Sequence, residues 1–188
     1  MALDAWQSFN DRISWDGTVH VACEPMATPL EPAAFTRLQE LDAGVLATLV
    51  MLGERGSSEP ADDETAAAIT RVDAKLNVLL EMFNRHLLGH LQLPPRRTVR
   101  FNARGVLIED WAPAGPNAAL MVRMHFDGCL GMPLELPGRV AAAPAGSGGF
   151  ITFEKLDEDI RQSIEHLVFR QHRRQLAETK REAKTPRP

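Results

Sequence analysis

His86 and His90 stand four residues apart in HLLGH, the spacing at which two imidazoles share one helix face and could hold a metal ion. The glutamate of an HExxH site is missing and no third ligand lies near, so a capping or surface role fits the pair better. The glycine-rich AGSGG at 145–149 lacks the strand, lysine and helix that flank a phosphate loop, and a hairpin turn is expected there. Asp157, Glu158 and Asp159 form a carboxylate cluster at the start of a helix, where the helix dipole accounts for them. Arg170 to Arg174, with Lys180 and Arg181, could dock an acidic partner or could complement the negative end of that helix; both readings stay open. The chain has no Tyr and no recognisable Ser, His and Asp or Cys and His constellation. No catalytic residue, no metal ligand set and no enzyme are expected.

The elements that carry these residues are organised around Asp62 to Leu88. There Thr65, Ile69, Val72, Leu76, Leu79, Phe83 and His86 follow at alternating spacings of four and three, which is a heptad seam. A helix of that length would be roughly 40 Å long. Leu80, Met82 and Leu87 lie off the seam and widen its apolar surface, so further helices must cover it. Ile69, Leu76 and Phe83 at a, with Val72 and Leu79 at d, form the expected oligomer interface, with four copies favoured over two.

Bulk composition bounds the rest. The 188 residues are 44% hydrophobic and 24% charged with a formal net charge of −4, enough for a sizeable core and no general nucleic-acid surface. Cys23 and Cys129 are far apart and neither belongs to a CxxC pair, which suits a reducing cytoplasm. No long apolar run predicts a leader or a membrane span.

Taken in order, residues 4–10 could form a short helix, and residues 13–24 show a turn at Asp16 and Gly17 before a strand with Val19, Val21 and Cys23 alternating. A helix over 33–55 follows, with Leu38, Leu41, Val45, Leu49 and Leu52 on its apolar stripe, expected to pack against the seam helix. The polar link GSSEPA at 56–61 would fold the two back as a hairpin; Asp62, Asp63 and Glu64 suit the next N-terminus, while Gly89, Pro94 and Pro95 would end the helix. Runs at 98–101, 106–111, 120–126, 133–141 and 149–153 read as strands, and a last helix spans 157 to about 180. Phe101 and Trp111 are expected in the core. A lone strand at 18–23 has no partner of its own, so it must pair with those after residue 96, and the helices then interrupt one barrel. The expected divisions are 1–30 (first helix and strand), 31–90 (inserted helical hairpin), 91–156 (rest of the barrel) and 157–188 (last helix and basic tail).

The stretch TVRFNARGVLIED, followed by strands and by ITFEKLDEDIRQSIEHLVFRQHRR, resembles the PilZ domain, a bacterial receptor module for cyclic di-GMP. The resemblance covers residues 12–24 and 96–176. It implies an α+β chain with a six-stranded antiparallel barrel, interrupted by two long helices and followed by a C-terminal helix. The family's ligand residues lie in an RxxxR motif and a (D/N)xSxxG motif, where guanidinium forks meet phosphates and guanine edges and a glycine allows close approach. Here Arg100, Asn102 and Gly105 stand at the second motif, so Arg replaces Asp or Asn, and Asn replaces Ser. Arg12 and Asp16 stand nearest the first, and the carboxylate would repel a diphosphate. Arg96 and Arg100 have RxxxR spacing but abut the second motif, beside Arg97.

The resemblance with these departures implies a cytoplasmic signalling adaptor that self-assembles, binds cyclic di-GMP weakly or not at all, needs no cofactor, and contacts a protein partner rather than a nucleic-acid polymer or membrane. Motility, pili, biofilm or virulence are the processes it would serve. Two alternatives stand beside it: a genuine receptor using Arg12, Arg96, Arg97, Arg100, Asn102 and Gly105, and a purely structural oligomerisation module.

Overall fold

Six β-prone runs of alternating residues need one shared core, and barrel closure supplies it. A computed structural model describes residues 2–54, 92–113, 115–127 and 129–184, with scattered positions between 68 and 86. Helix α1 (Ala2–Asn10) precedes β1 (Trp15–Pro25) and α2 (Pro32–Glu54). Then come β2 (Arg96–Asn102), β3 (Gly105–Ile108), β4 (Ala119–His125), β5 (Leu134–Ala141), β6 (Gly149–Phe153) and the last helix, α3 (Glu158–Lys184). The strands close antiparallel in the order β1-β2-β3-β6-β5-β4. Val19, Val99, Phe101, Val106, Ile108, Val122, Met124, Leu134, Leu136 and Ile151 are buried. Their alternation along each strand gives the barrel its filled interior.

The early strand does pair with strands after residue 96, as expected, and it serves two of them. Trp15 to His20 run against Phe101 to Arg96, while His20 to Pro25 run against His125 to Leu120. The expected turn at Asp16 and Gly17 is not there. Asp16 pairs with Arg100 and Gly17 with Val99, because the Trp15 indole folds over Gly17 where any Cβ would collide with it. The run expected to continue to Trp111 stops at Ile108. Asp110 takes a φ of 51°, and its carbonyl accepts a hydrogen bond from Arg97 Nη1 at 2.6 Å. Phe101 is fully buried, and Trp111 packs partly buried against the core. AGSGG is a turn, with Gly146 and Gly148 at φ 82° and 94°, and it joins the paired strands β5 and β6.

Helix α2 packs against α3 and β5. Its Gln39 amide reaches the Lys155 carbonyl, and Leu49 lines a groove with Leu167 and Gln171, so α2 and α3 run parallel. Val45, Leu46 and Leu49 join Ile160, Ile164, Leu167 and Val168 in the main core. The expected stripe was misplaced at one point. Leu41 is exposed, and Asp42 and Leu46 are buried in its stead. Asp157 precedes α3, its carbonyl accepting the Arg161 N–H, and Glu158 pairs with Arg161, as a helix start requires.

Of the seam, Ile69, Val72, Leu76, Leu79 and Phe83 are helical and exposed, at 47% to 61%. Thr65, Leu80, Leu87, the link at 56–61, the acidic start at 62–64 and Gly89 lie outside the described residues, and so does the expected packing of the two helices as a hairpin.

Asp42 is 2% exposed, and its Oδ1 accepts the Glu135 backbone N–H at 2.8 Å. Burial pushes its carboxyl from 3.8 up to about 7, the Glu135 N–H opposing that rise and the Glu135 charge adding to it. A raised native pKa means the folded state holds a proton that the unfolded chain releases, so stability falls as pH rises between about 4 and 7. Asp42→Asn keeps the acceptor and removes the charge. Denaturant midpoints should show it more stable than the parent near pH 8, and indistinguishable near pH 4.

Candidate functional site

Alternation along β2 splits the candidate arginines. Val99 and Phe101 point into the barrel, so Arg97 shares their parity, while Arg96, Thr98, Arg100 and Asn102 lie on the outer face. Arg96 sits at the far end, donating to Asp127 at 2.8 Å and to the Thr18 carbonyl at 3.2 Å. Arg97 holds the Asp110 carbonyl. Six residues of strand separate Arg96 from Asn102, about 20 Å.

The other candidates gather under α1. Phe9 is fully buried and stacks at 4.8 Å on Phe150, and Trp6 meets the same ring edge-on at 5.3 Å. Covering Phe9 contributes roughly 1.5–3 kcal/mol, enough to seat a nine-residue helix that would not hold alone. Arg100 donates to Asn10 Oδ1 at 3.2 Å and places its guanidinium 5.8 Å from the Phe9 ring centre. Asn102 is 2% exposed. Its amide nitrogen donates to the Phe9 carbonyl and to Ser14 Oγ, each at 2.9 Å, and its oxygen accepts the Arg104 N–H at 2.8 Å. The amide is spent on joining α1 to the β2–β3 hairpin. Arg12, just past α1, donates its backbone N–H to Phe9 but sends its guanidinium to Glu165 of α3, 2.9 Å away. Both partners of that pair are nearly half exposed, so it contributes little.

Gly105 closes the cluster. A Cβ there would strike the Ile151 carbonyl oxygen, so the glycine serves β3–β6 packing whether or not a ligand approaches. Sequence reasoning missed Arg104, four residues beyond Arg100. The Nε atoms of Arg100 and Arg104 are both buried with no hydrogen-bond partner. The repeat of arginine at 96, 100 and 104 was the available signal.

The structure therefore brings Arg12, Arg100, Asn102 and Gly105 to the foot of α1 and leaves Arg96 and Arg97 at the other end of the strand. The cavity of about 470 Å³ near the start of α2 and the groove of about 290 Å³ between α2 and α3 are lined by other residues. Burial pushes the Cys23 thiol up to about 12, with the Arg97 charge opposing the rise, which disfavours the thiolate that a nucleophile needs. Among the described residues no group of three His, Cys, Asp or Glu is placed to hold a metal ion, and His90 lies outside them. No described helix is long and apolar enough to cross a membrane.

Comparison with known proteins gives two findings. A family model for the atypical PilZ domain, cyclic di-GMP receptor, matches residues 37–181. The fold is similar to that of a pathogenic protein from Xanthomonas campestris, described as a new tetrameric PilZ domain self-assembled via an unusual helical bundle. The TM-score is 0.70 and the identity 21%, over 94% of this chain and 97% of that one. No curated protein sequence matches.

Replacing Gly105 by Ala should cost about 1–3 kcal/mol, because the clash is with backbone that cannot swing away. Thermal unfolding without ligand reads the loss directly.

Proposed function

Since this chain belongs to the atypical PilZ domain family, we propose that it is a cytoplasmic, non-enzymatic cyclic di-GMP signalling protein that works as a self-assembling adaptor and binds the nucleotide itself weakly or not at all. The observation that carries the weak-binding reading is the state of the motif face. α1 packs over its Arg100 and Asn102 end, Asn102 has spent its amide on α1, Ser14 and the hairpin, and Arg12, Arg96, Arg97 and Arg100 each already hold a protein partner. A ligand would have to displace these contacts and α1 before making its own.

Self-assembly is supported by the seam. Ile69, Val72, Leu76, Leu79 and Phe83 are each about half exposed in a single chain, with Val78 and Met82 beside them. An apolar row of this length is a surface that soluble chains cover. Covering five such side chains contributes on the order of 1 kcal/mol each per copy, against an association cost of about 4–15 kcal/mol. Two copies come out near balance, and four is the number that the residue types at a and d favour. The tetrameric description of the Xanthomonas campestris protein agrees with that number. Assembly would present several barrels together, so that weak contacts with a protein partner gain from multivalency. Motility, pili, biofilm and virulence are the processes in which such an adaptor would act.

A second reading is favoured by one observation. The unpaired Nε atoms of Arg100 and Arg104 leave donors at the motif that an incoming acceptor could satisfy, which suits a true receptor built on the Arg96–Gly105 region. Calorimetric titration with cyclic di-GMP separates the two. The adaptor reading expects no saturable heat at micromolar nucleotide, and a dissociation constant near or below micromolar overturns it. The assembly reading has its own test: Leu76→Glu with Leu79→Glu should give a smaller folded species by light scattering, and an unchanged mass rules out the seam as the interface.

A further inference from the structure

A pocket lined by none of the motif residues opens where the chain leaves β1 for α2. Its volume, about 470 Å³, lies in the range of small-ligand sites. Met26, Pro29, Leu30 and Phe35 make one wall, and Ala119 and Pro137 of β4 and β5 make the other. Three prolines, Pro29, Pro32 and Pro137, stand among the lining residues and stiffen the walls. The Met26 N–H bonds the Ala119 carbonyl at 2.9 Å, and the Gln39 amide reaches the Lys155 carbonyl, so both walls are tied to fixed elements. A space held open this way needs little ordering to accept a guest.

The charges at its mouth select the guest. Arg139 forks onto both oxygens of Glu154 at 2.8 and 3.3 Å and gives its third nitrogen to the Asn117 carbonyl, so that pair is internally neutral. Lys155 is different. Its ammonium has no partner among the described residues, and its backbone holds a φ of 56°. A lysine in the left-handed region costs roughly 1–2 kcal/mol, and such strain gathers where a side chain must be aimed. A mostly apolar pocket with one uncompensated cation at its rim matches one chemistry.

We infer that this pocket binds a small organic monoanion, an apolar body carrying a carboxylate, with the body between Phe35 and Pro137 and the carboxylate on Lys155 Nζ. The site shares no residue with the β2 motif, so it stands whether or not the chain binds cyclic di-GMP.

Octanoate is the probe, titrated calorimetrically into the full chain, with octylammonium and acetate as comparators. Octanoate should saturate at one per chain, octylammonium should not bind because its charge opposes Lys155, and acetate should not bind because it lacks the body. Lys155→Glu, at a position whose side chain is exposed, should weaken octanoate at least tenfold, and Lys155→Arg should retain it. The Leu76→Glu, Leu79→Glu variant should bind octanoate as the parent does, which separates the pocket from the exposed seam. Equal binding of octanoate and octylammonium, an unchanged affinity in Lys155→Glu, a loss confined to the seam variant, or no saturable octanoate heat up to millimolar concentration would each overturn the site.

Discussion

The structure depends on β1 hydrogen-bonding on both sides. Its first half closes onto β2 and its second half onto β4, with His20 as the shared residue facing Arg96 on one edge and His125 on the other. Without that strand the barrel would be an open sheet with two unpaired edges. The pairing also explains how a helical insertion is tolerated. Residues 26–95 join two antiparallel neighbours, so the insertion occupies the connection between β1 and β2. Lengthening such a loop costs only about 0.6 kcal/mol for each doubling.

On the outer face of the barrel, Trp6 and Phe9 pack against Phe150 of β6, and Asn102 fastens their helix to the β2–β3 hairpin. Arg100 and Asn102 both bond to α1, and their identities alone did not dictate those partners. Asn102 in a solvated hairpin would be a ligand donor; buried beneath a helix, it is a bracket whose loss would leave several polar groups unpaired.

Much of this could be read from the residues. Alternation located six strands, the unpaired early strand required a barrel, and the seam stood out by its spacing. Other features turned on contacts between residues distant in sequence. Asp16 and Gly17 carry a strong local turn signal, yet the Trp15 ring packing over Gly17 keeps them in a strand. Asp42 breaks an apolar stripe and is buried all the same, because it meets the Glu135 N–H of β5. A helix as short as α1 has too few turns for its pattern to say what it will cover, so its seat on the motif face was not legible. Nor was the role of Arg104, which shares its hairpin with Asn102.

One consequence follows from how the first and last helices meet. Arg12 grips Glu165, and the Gln175 amide reaches the Asp16 carbonyl at 2.6 Å, so α3 touches the segment just after α1 and the start of β1. Anything that tugs on the final helix, a docking protein or a fused reporter, therefore strains the stretch that seats the opening one. A mechanical cue applied at one extremity of the sequence has a short route to the residues packed beneath the other.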